Sequence, residues 1–231
     1  MPENAEADAA RADTAGSAKR PRKAALYDDE RAGRIYRVAA QIIYEKGFAA
    51  TSMNEIAEAV ELTKPGLYYY VKGKKELLFA IMSFAMDLLD VKVVEPALEI
   101  HDAAERLRCI VAEHARLLTH DAGALAILID EVGGLSEPQR TAITARKRAY
   151  FDFIRETLDS LQSENRLHGV DTTTATFSLL GMVMWLSRWY QTQGRMSGDT
   201  VVRDLTEIAL RSVVREPDAG ALDALVQAPV Q

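Results

Sequence analysis

The sequence predicts an all-α protein with an N-terminal helix-turn-helix head and a larger C-terminal helical body. Three observations carry that expectation. Apolar residues recur at three- and four-residue spacing from Asp28 nearly to the end of the chain, the period of helices that bury one face. No run alternates apolar and polar residues between turn signals, as a half-buried strand would. Capping residues, prolines and glycines divide the chain into about nine segments of helical length.

In order, residues 1–27 lack periodicity and are rich in Ala, Asp and Glu, the composition of a disordered arm. The cluster Lys19-Arg20-Pro21-Arg22-Lys23 within it fits either a solvated tail or an arm that follows a phosphate backbone. The head spans 28–75. Its first helix carries Ile35, Val38, Ala39, Ile42 and Ile43 on one stripe and stops at Gly47. Thr51 or Ser52 caps a short second helix, with Glu55 placed as in a capping box. Ile56, Ala57 and Val60 face inward, and Glu61-Leu62 makes a tight turn. Thr63 caps a third helix whose first turn tolerates Pro65. The residue before a proline is biased away from helical angles, which places the start at Pro65 rather than Lys64. Leu67 and Val71 form the buried side, leaving Lys64, Tyr68 and Tyr69 outward, while Gly66 lets the backbone come close to a phosphate.

The body spans 76–215. A long helix from Lys74 to Val94 is expected to stop at Pro96, and Asp102 to cap the next, towards Thr119. A shorter helix over Ala124–Val132 ends at Gly133-Gly134. Ser136-Glu137-Pro138 starts a long helix to about Ser163. Asp171 opens one that ends near Gly194, and Asp199 opens the last, through Val213. Residues 216–231 read as a flexible tail.

Composition narrows the function. With 231 residues, 48% of them hydrophobic, the chain can bury a sizeable core. The single Cys109 excludes an intramolecular disulfide and a cysteine-rich zinc site, and fits a reduced, cytoplasmic setting. Residues 1–25 contain no apolar signal-peptide core, and charges interrupt every apolar stretch before membrane-spanning length, so a soluble protein is expected. The net charge of −6 hides an asymmetry. Residues 19–76 hold 12 Lys/Arg against 8 Asp/Glu, whereas 77–231 hold 15 against 22. A basic head on an acidic body orients a protein towards phosphate. Together with the helix-turn-helix spacing, this points to a recognition helix in the DNA major groove, with Lys72, Lys74 and Lys75 meeting the backbone.

The segment from Thr51 to Leu78 resembles the DNA-binding region of the TetR family of one-component transcriptional regulators. Thr51-Ser52, Ile56-Ala57, Thr63, Gly66-Leu67-Tyr68 and Lys74 to Leu78 carry the resemblance, which extends upstream through Arg34 to Gly47-Phe48. Thr51, Ser52, Thr63, Lys64, Gly66, Tyr68, Tyr69, Lys74 and Lys75 are accordingly the expected DNA-binding residues. Two positions depart from the pattern: Glu61 stands where a turn glycine is usual, and Val71 where an aromatic is common.

The resemblance also implies a ligand-released regulator, most often a repressor, that binds a palindromic operator as a homodimer. The last two helices of each protomer then form the dimer interface. Trp185 and Trp189, four apart, share a face with Gly181, and Leu205 and Ile208 form a second stripe. Ordinary core and subunit interface both fit this pattern; Trp beside a small glycine favours the interface. The helices of 74–163 would enclose an effector pocket, with Phe79, Met82, Met86, Leu89, Leu117, Leu128, Phe151 and Ile154 as apolar lining. The pattern Trp185-x-x-Arg188-Trp189-Tyr190, closing at Gly194-Arg195, resembles TetR-type regulators of fatty-acid and sterol catabolism that answer to acyl-CoA thioesters. On that resemblance Arg146, Lys147 and Arg148 would meet the CoA phosphates, with Arg148 and Arg188 as polar ligand contacts. His101, His114 and His120 do not share a helix face suited to a metal, and no metal or cofactor is expected. The competing class is an all-α enzyme or interaction protein on the same fold. No nucleophile–base pair or phosphate loop in the sequence favours it.

Overall fold

The structure, a computed structural model, describes residues 30–215 apart from 121 and 131. The arm and tail expected at 1–27 and 216–231 lie outside the described residues. The described chain is helical, with α1 (Glu30–Lys46), α2 (Met53–Ala59), α3 (Lys64–Tyr70), α4 (Lys74–Leu89), α5 (Glu95–Leu98) and α6 (Ala103–His120). Then follow α7 (Ala122–Asp130), α8 (Glu137–Ser163), α9 (Thr172–Met184), α10 (Leu186–Trp189) and α11 (Gly198–Val213). Among the described residues the only β pairing is a single bridge between Leu167 and Val214, which ties the end of α11 to the α8–α9 connection.

Two expected single helices are each broken in two. Pro96 does not stop the helix begun at Lys74. A π-turn over Asp90–Val94 joins α4 to α5, and the Glu95 N–H bonds the Asp90 carbonyl. Widening the ladder by one residue places Pro96 in the first turn of a fresh segment, where its missing N–H costs nothing. The helix opened by Asp171 ends ten residues before Gly194 would allow, at Met184 and then at Trp189, where Tyr190 turns extended. The Tyr44 hydroxyl of α1 donates to the Ser187 carbonyl, an acceptor that the shortened helix leaves open.

Starts and stops elsewhere follow their caps. Asp102 accepts from the Ala104 and Glu105 N–H groups at 3.0 and 2.9 Å, and Arg166 beside it holds its carboxyl down to about 2. Ser136 and Gln139 form a capping box at α8, and Asp171 caps α9 through the Thr174 N–H at 2.8 Å. The cap of α11 is Ser197, which accepts from the Thr200 N–H at 3.2 Å. Asp199, the residue expected to cap it, sits inside the first turn.

α6 lies at the centre, with its apolar face against α11, α8 and α9. α1 packs on α4 and α7, so the first helix of the head rests on the body. Ile35, Ala39 and Ile43 are fully buried there, while Val38 and Ile42 are half-buried. α4 is buried along most of its length, from Leu77 to Leu89, and links the head to the body.

Candidate functional site

The head is built from local rules. Ser52 caps α2 by accepting the Glu55 N–H at 3.1 Å. The Lys46 ammonium, paired with Glu55 across α1 and α2, is the main cause that holds the Glu55 carboxyl below its usual range; the Ser52 N–H adds a smaller pull. Thr51 is not a surface residue. It is 2% exposed, and its hydroxyl donates to the Gly47 carbonyl at 3.0 Å, closing the end of α1.

The turn closes as a Schellman motif. Leu62 N–H reaches the Ala57 carbonyl at 2.8 Å and Glu61 N–H the Glu58 carbonyl at 3.0 Å. This requires Glu61 at φ 59°, a left-handed angle that favours glycine. The turn is therefore as sharp as the family pattern demands, at a conformational cost of about 1–2 kcal/mol. Thr63 then accepts the Gly66 N–H at 3.2 Å, which makes Lys64 the first residue of α3 and Pro65 the second. A β-carbon on Gly66 would press on that capping oxygen at 3.2 Å.

From this frame Tyr69 projects outward at 87% exposure and Tyr68 at 40%, while Leu67 is sealed in the core. Lys64, Lys72 and Lys75 are exposed beside them. Lys74 is tied back: its ammonium donates to the Ala49 carbonyl at 3.2 Å and lies 4.6 Å from the Phe48 ring centre. Gly73 precedes α4 without a side-chain cap, so the first N–H groups of α4 point out beside these lysines. The result is a shallow face of aromatic and cationic groups with no carboxylate on α3. Tyr70 and Val71 turn the other way, onto a smaller cavity of about 380 Å³ that also takes Phe79.

The body encloses a larger cavity of about 520 Å³. Met86 and Leu89 of α4, Leu118 of α6, Leu125 and Leu128 of α7, and Phe151 of α8 supply apolar wall. α9 adds Thr173, Phe177, Leu180 and Met184 from outside the segment expected to form it. Phe151 and Phe177 meet with ring centres 4.7 Å apart. Arg148, Asp152 and Thr144 stand on the same wall, Arg148 and Thr144 at the exposed side. Of the expected lining, Met82, Leu117 and Ile154 are buried in the core without reaching the cavity. These positions share helical spacing with wall residues, and only the angle of each neighbouring helix separates the two groups. Arg188 is exposed on α10 and away from the cavity wall.

Two buried polar residues on the wall were also not singled out for it. His114 and Tyr150 are 5% and 7% exposed, and the Tyr150 hydroxyl lies 3.1 Å from His114 Nδ1. Burial pushes the His114 pKa down to about 4, so the ring is neutral at neutral pH. A histidine and a tyrosine 36 residues apart carry no joint signal in sequence. The basic triplet on α8 is also divided by the fold. Arg146 pairs with Asp87 and Asp90 at 2.7 and 2.6 Å and donates to the Ser83 carbonyl. Lys147 donates to the Leu128 carbonyl, and burial lowers its pKa. Arg148 alone is open, with Asp152 at 3.8 Å.

Trp185 and Trp189 are 64% and 43% exposed, so neither is core. Gly181 is exposed with open space over its α-carbon. Ile208 on α11 is 61% exposed, and Leu205 is half-buried against the core.

Residues 35–81 match the family model described as bacterial regulatory proteins, tetR family. Residues 101–213 match the tetracyclin repressor-like C-terminal domain. The solved structure of AibR in complex with isovaleryl coenzyme A and operator DNA superimposes with a TM-score of 0.70 at 34% identity, over 78% of this chain and 97% of that one. The chain belongs to the TetR family of transcriptional regulators.

Among curated relatives, this TetR-family regulator is 29% identical to the HTH-type transcriptional activator FasR of Mycolicibacterium smegmatis, over 69% of its own length and 74% of that protein. It is 24% identical to the HTH-type transcriptional repressor KstR2 of Rhodococcus jostii, over 75% and 86% of the two chains. The matched head contains the Schellman turn and α3, with the exposed face around Tyr69. Among the described residues no helix is long and apolar enough to cross a membrane, and no cluster of metal-ligating side chains occurs.

Proposed function

We propose that this regulator represses transcription by binding a palindromic operator as a homodimer, and that an acyl-CoA-like effector in the 520 Å³ cavity releases it. The observation that carries this reading is that α4 serves both sites. Its uncapped start, with Lys74 and Lys75, lies on the DNA face, and its Met86 and Leu89 form cavity wall. A ligand that fits the cavity only when α4 moves will change the spacing of the two recognition helices, because binding shifts the equilibrium by its differential affinity. The likeness to AibR, solved with isovaleryl coenzyme A and operator DNA, supports both ligands at once.

Within this reading the head is 28–75 and the body 76–215. Tyr68, Ser52, Thr63 and the Gly66 backbone fix register on phosphates, Lys64, Lys72 and Lys75 neutralise them, and Tyr69 reads base edges. Phe177, Gly181, Trp185, Trp189 and Ile208 form the dimer seam, with Leu205 beneath it. The repressor works in the bacterial cytoplasm, where its DNA is. Arg148 at the cavity's open side takes the effector's phosphate end, and Arg146 is excluded from that role by its two aspartates.

The test is fluorescence anisotropy on the DNA upstream of the protein's own coding region, with and without isovaleryl- and octanoyl-CoA. Salt-dependent, sequence-selective binding that collapses on adding one thioester is the expected result. Tyr69→Ala should relax preference at particular base pairs, whereas Lys64→Ala should weaken specific and random DNA alike. Equal loss on both DNAs for Tyr69→Ala removes its base-reading role, and thioester-insensitive binding removes the effector class.

A further inference from the structure

We infer that the effector of the 520 Å³ cavity presents a carbonyl oxygen to His114 Nε2, so that this regulator selects carbonyl-bearing ligands over alkyl ligands of the same shape. The inference rests on the reading of this cavity as an effector site and names the chemistry the site demands.

His114 is 95% buried, lines the cavity, and has one ring nitrogen, Nδ1, bonded to Tyr150 at 3.1 Å. Nε2 has no protein partner among the described residues. No described side-chain nitrogen or oxygen that is shut away lacks a partner. Nε2 therefore opens onto the cavity.

Hydrogen-bond accounting assigns its proton. The Tyr150 hydroxyl has one proton to give, burial keeps it protonated, and Nδ1 is its only acceptor among the described residues. Were Nδ1 to carry the ring proton, it would donate to the Tyr150 oxygen and leave the hydroxyl proton without a protein acceptor. The satisfied arrangement has Tyr150 O–H donating to Nδ1 and the ring proton on Nε2. Away from Arg148 and Lys147, the cavity thus has an aimed N–H donor on a neutral ring among Met86, Leu89, Leu118 and Leu125.

A wholly apolar ligand reaching that depth would displace water from Nε2–H and leave the donor bare. A ligand with a carbonyl at that depth replaces the water bond. Sites built to hydrogen-bond a group discriminate strongly against analogues that lack it, because the protein's own polar atom is stranded. The carbonyl can be that of a thioester or a ketone farther along the ligand, and the acceptor chemistry is the same.

The experiment uses the full-length protein and three CoA probes in calorimetry. They are octanoyl-CoA, 3-oxooctanoyl-CoA and the thioether S-octyl-CoA, which lacks the acyl carbonyl and keeps the same CoA amides. A second pair, 2-octanone and octane, is compared by displacement of a cavity-bound fluorescent dye. Ligands with the acyl or ketone carbonyl are expected to bind about tenfold tighter than their partners without it. A preference for octanoyl-CoA over the thioether places the oxygen at the thioester. A preference confined to 3-oxooctanoyl-CoA places it on the chain.

His114→Phe should remove the preference, and Tyr150→Phe, which frees Nδ1 to hold the proton, should reduce it. Binding of all three CoA ligands within twofold, or a preference that survives His114→Phe in folded protein, overturns the inference and leaves the acyl-CoA reading standing. If no CoA ligand binds but 2-octanone outcompetes octane in a His114-dependent way, the acyl-CoA reading fails and the inference stands. The wild-type comparison decides even if His114→Phe does not fold.

Discussion

Two basic triplets stand on this chain, and the fold treats them in opposite ways. Lys72 precedes α4 and Lys74 and Lys75 begin it, in the head; Arg146, Lys147 and Arg148 run along α8 in the body. In the head only Lys74 is tied to the protein, and Lys72 and Lys75 face solvent. In the body Arg146 is locked between Asp87 and Asp90, Lys147 is spent on a carbonyl, and Arg148 alone is open. A cation held half out of water between helices must be matched where it sits, since stranding it costs several kcal/mol. A cation on an exposed turn has no such obligation and remains free for a polyanion. A cation is thus a bolt in one region and left open in the other, and stability and DNA affinity should respond separately.

The sharpest separation should come from pH. His114 in the body titrates at about 4 in the native state, below its ordinary 6.5. Between those values the unfolded chain binds a proton that the native chain refuses, so stability falls as pH drops from 6.5 towards 4. The full loss is about 3 kcal/mol at 1.36 kcal/mol per pH unit. Urea denaturation from pH 7.5 to 4 measures it, and His114→Phe should flatten that part of the curve. An unchanged slope in the variant would assign the acid sensitivity to other groups.

Removing the bolt on α8 comes next. Arg146→Ala leaves two carboxylates and the Ser83 carbonyl facing each other and should destabilise by about 2 kcal/mol, read as a lower Tm. If Arg146→Ala melts like wild type, the contrast between the two triplets is wrong on its body side.

Trp189 probes a third environment, exposed apolar surface. Its truncation to Ala should weaken self-association by about 2 kcal/mol while leaving the fold intact. Sedimentation across a dilution series, with operator affinity recovering at high protein concentration, checks this. A variant that stays dimeric at every dilution moves the seam elsewhere.

At the turn of the head, Glu61→Gly should raise stability by about 1 kcal/mol, because φ 59° no longer carries a side-chain penalty. Chemical denaturation measures it, and DNA affinity should hold. The smallest effect on the fold is expected from Lys75→Ala. Tm should not move, while the salt slope of DNA binding should fall by about one. A drop in Tm with an unchanged salt slope would reverse the assignment of the two triplets.

The head was legible from sequence because its structure is set by neighbours within five residues. Ser52 and Thr63 accept from the N–H groups of Glu55 and Gly66, three positions on, and the turn bonds span three and five residues. Even so, one terminus moved by a residue: the Thr63 cap outweighed the bias that Pro65 places on Lys64. Thr51 sits inside the motif but turns inward, because the end of α1 needs its hydroxyl.

By itself the sequence determined the helical class, the recognition head, most caps and the family, since periodicity, capping and turn chemistry are local properties written along the chain. Tertiary structure decided where the long helices break, because the π-turn before Pro96 and the early stop at Tyr190 depend on what packs alongside. It also decided which apolar residues face the cavity and which fill the core. Met82 and Met86 lie one turn apart on α4, yet only Met86 reaches the cavity. The pairing of His114 with Tyr150, 36 residues away, arises only when α6 and α8 pack together. A period of 3.6 residues states that a face is buried, and only the neighbouring helix states against what.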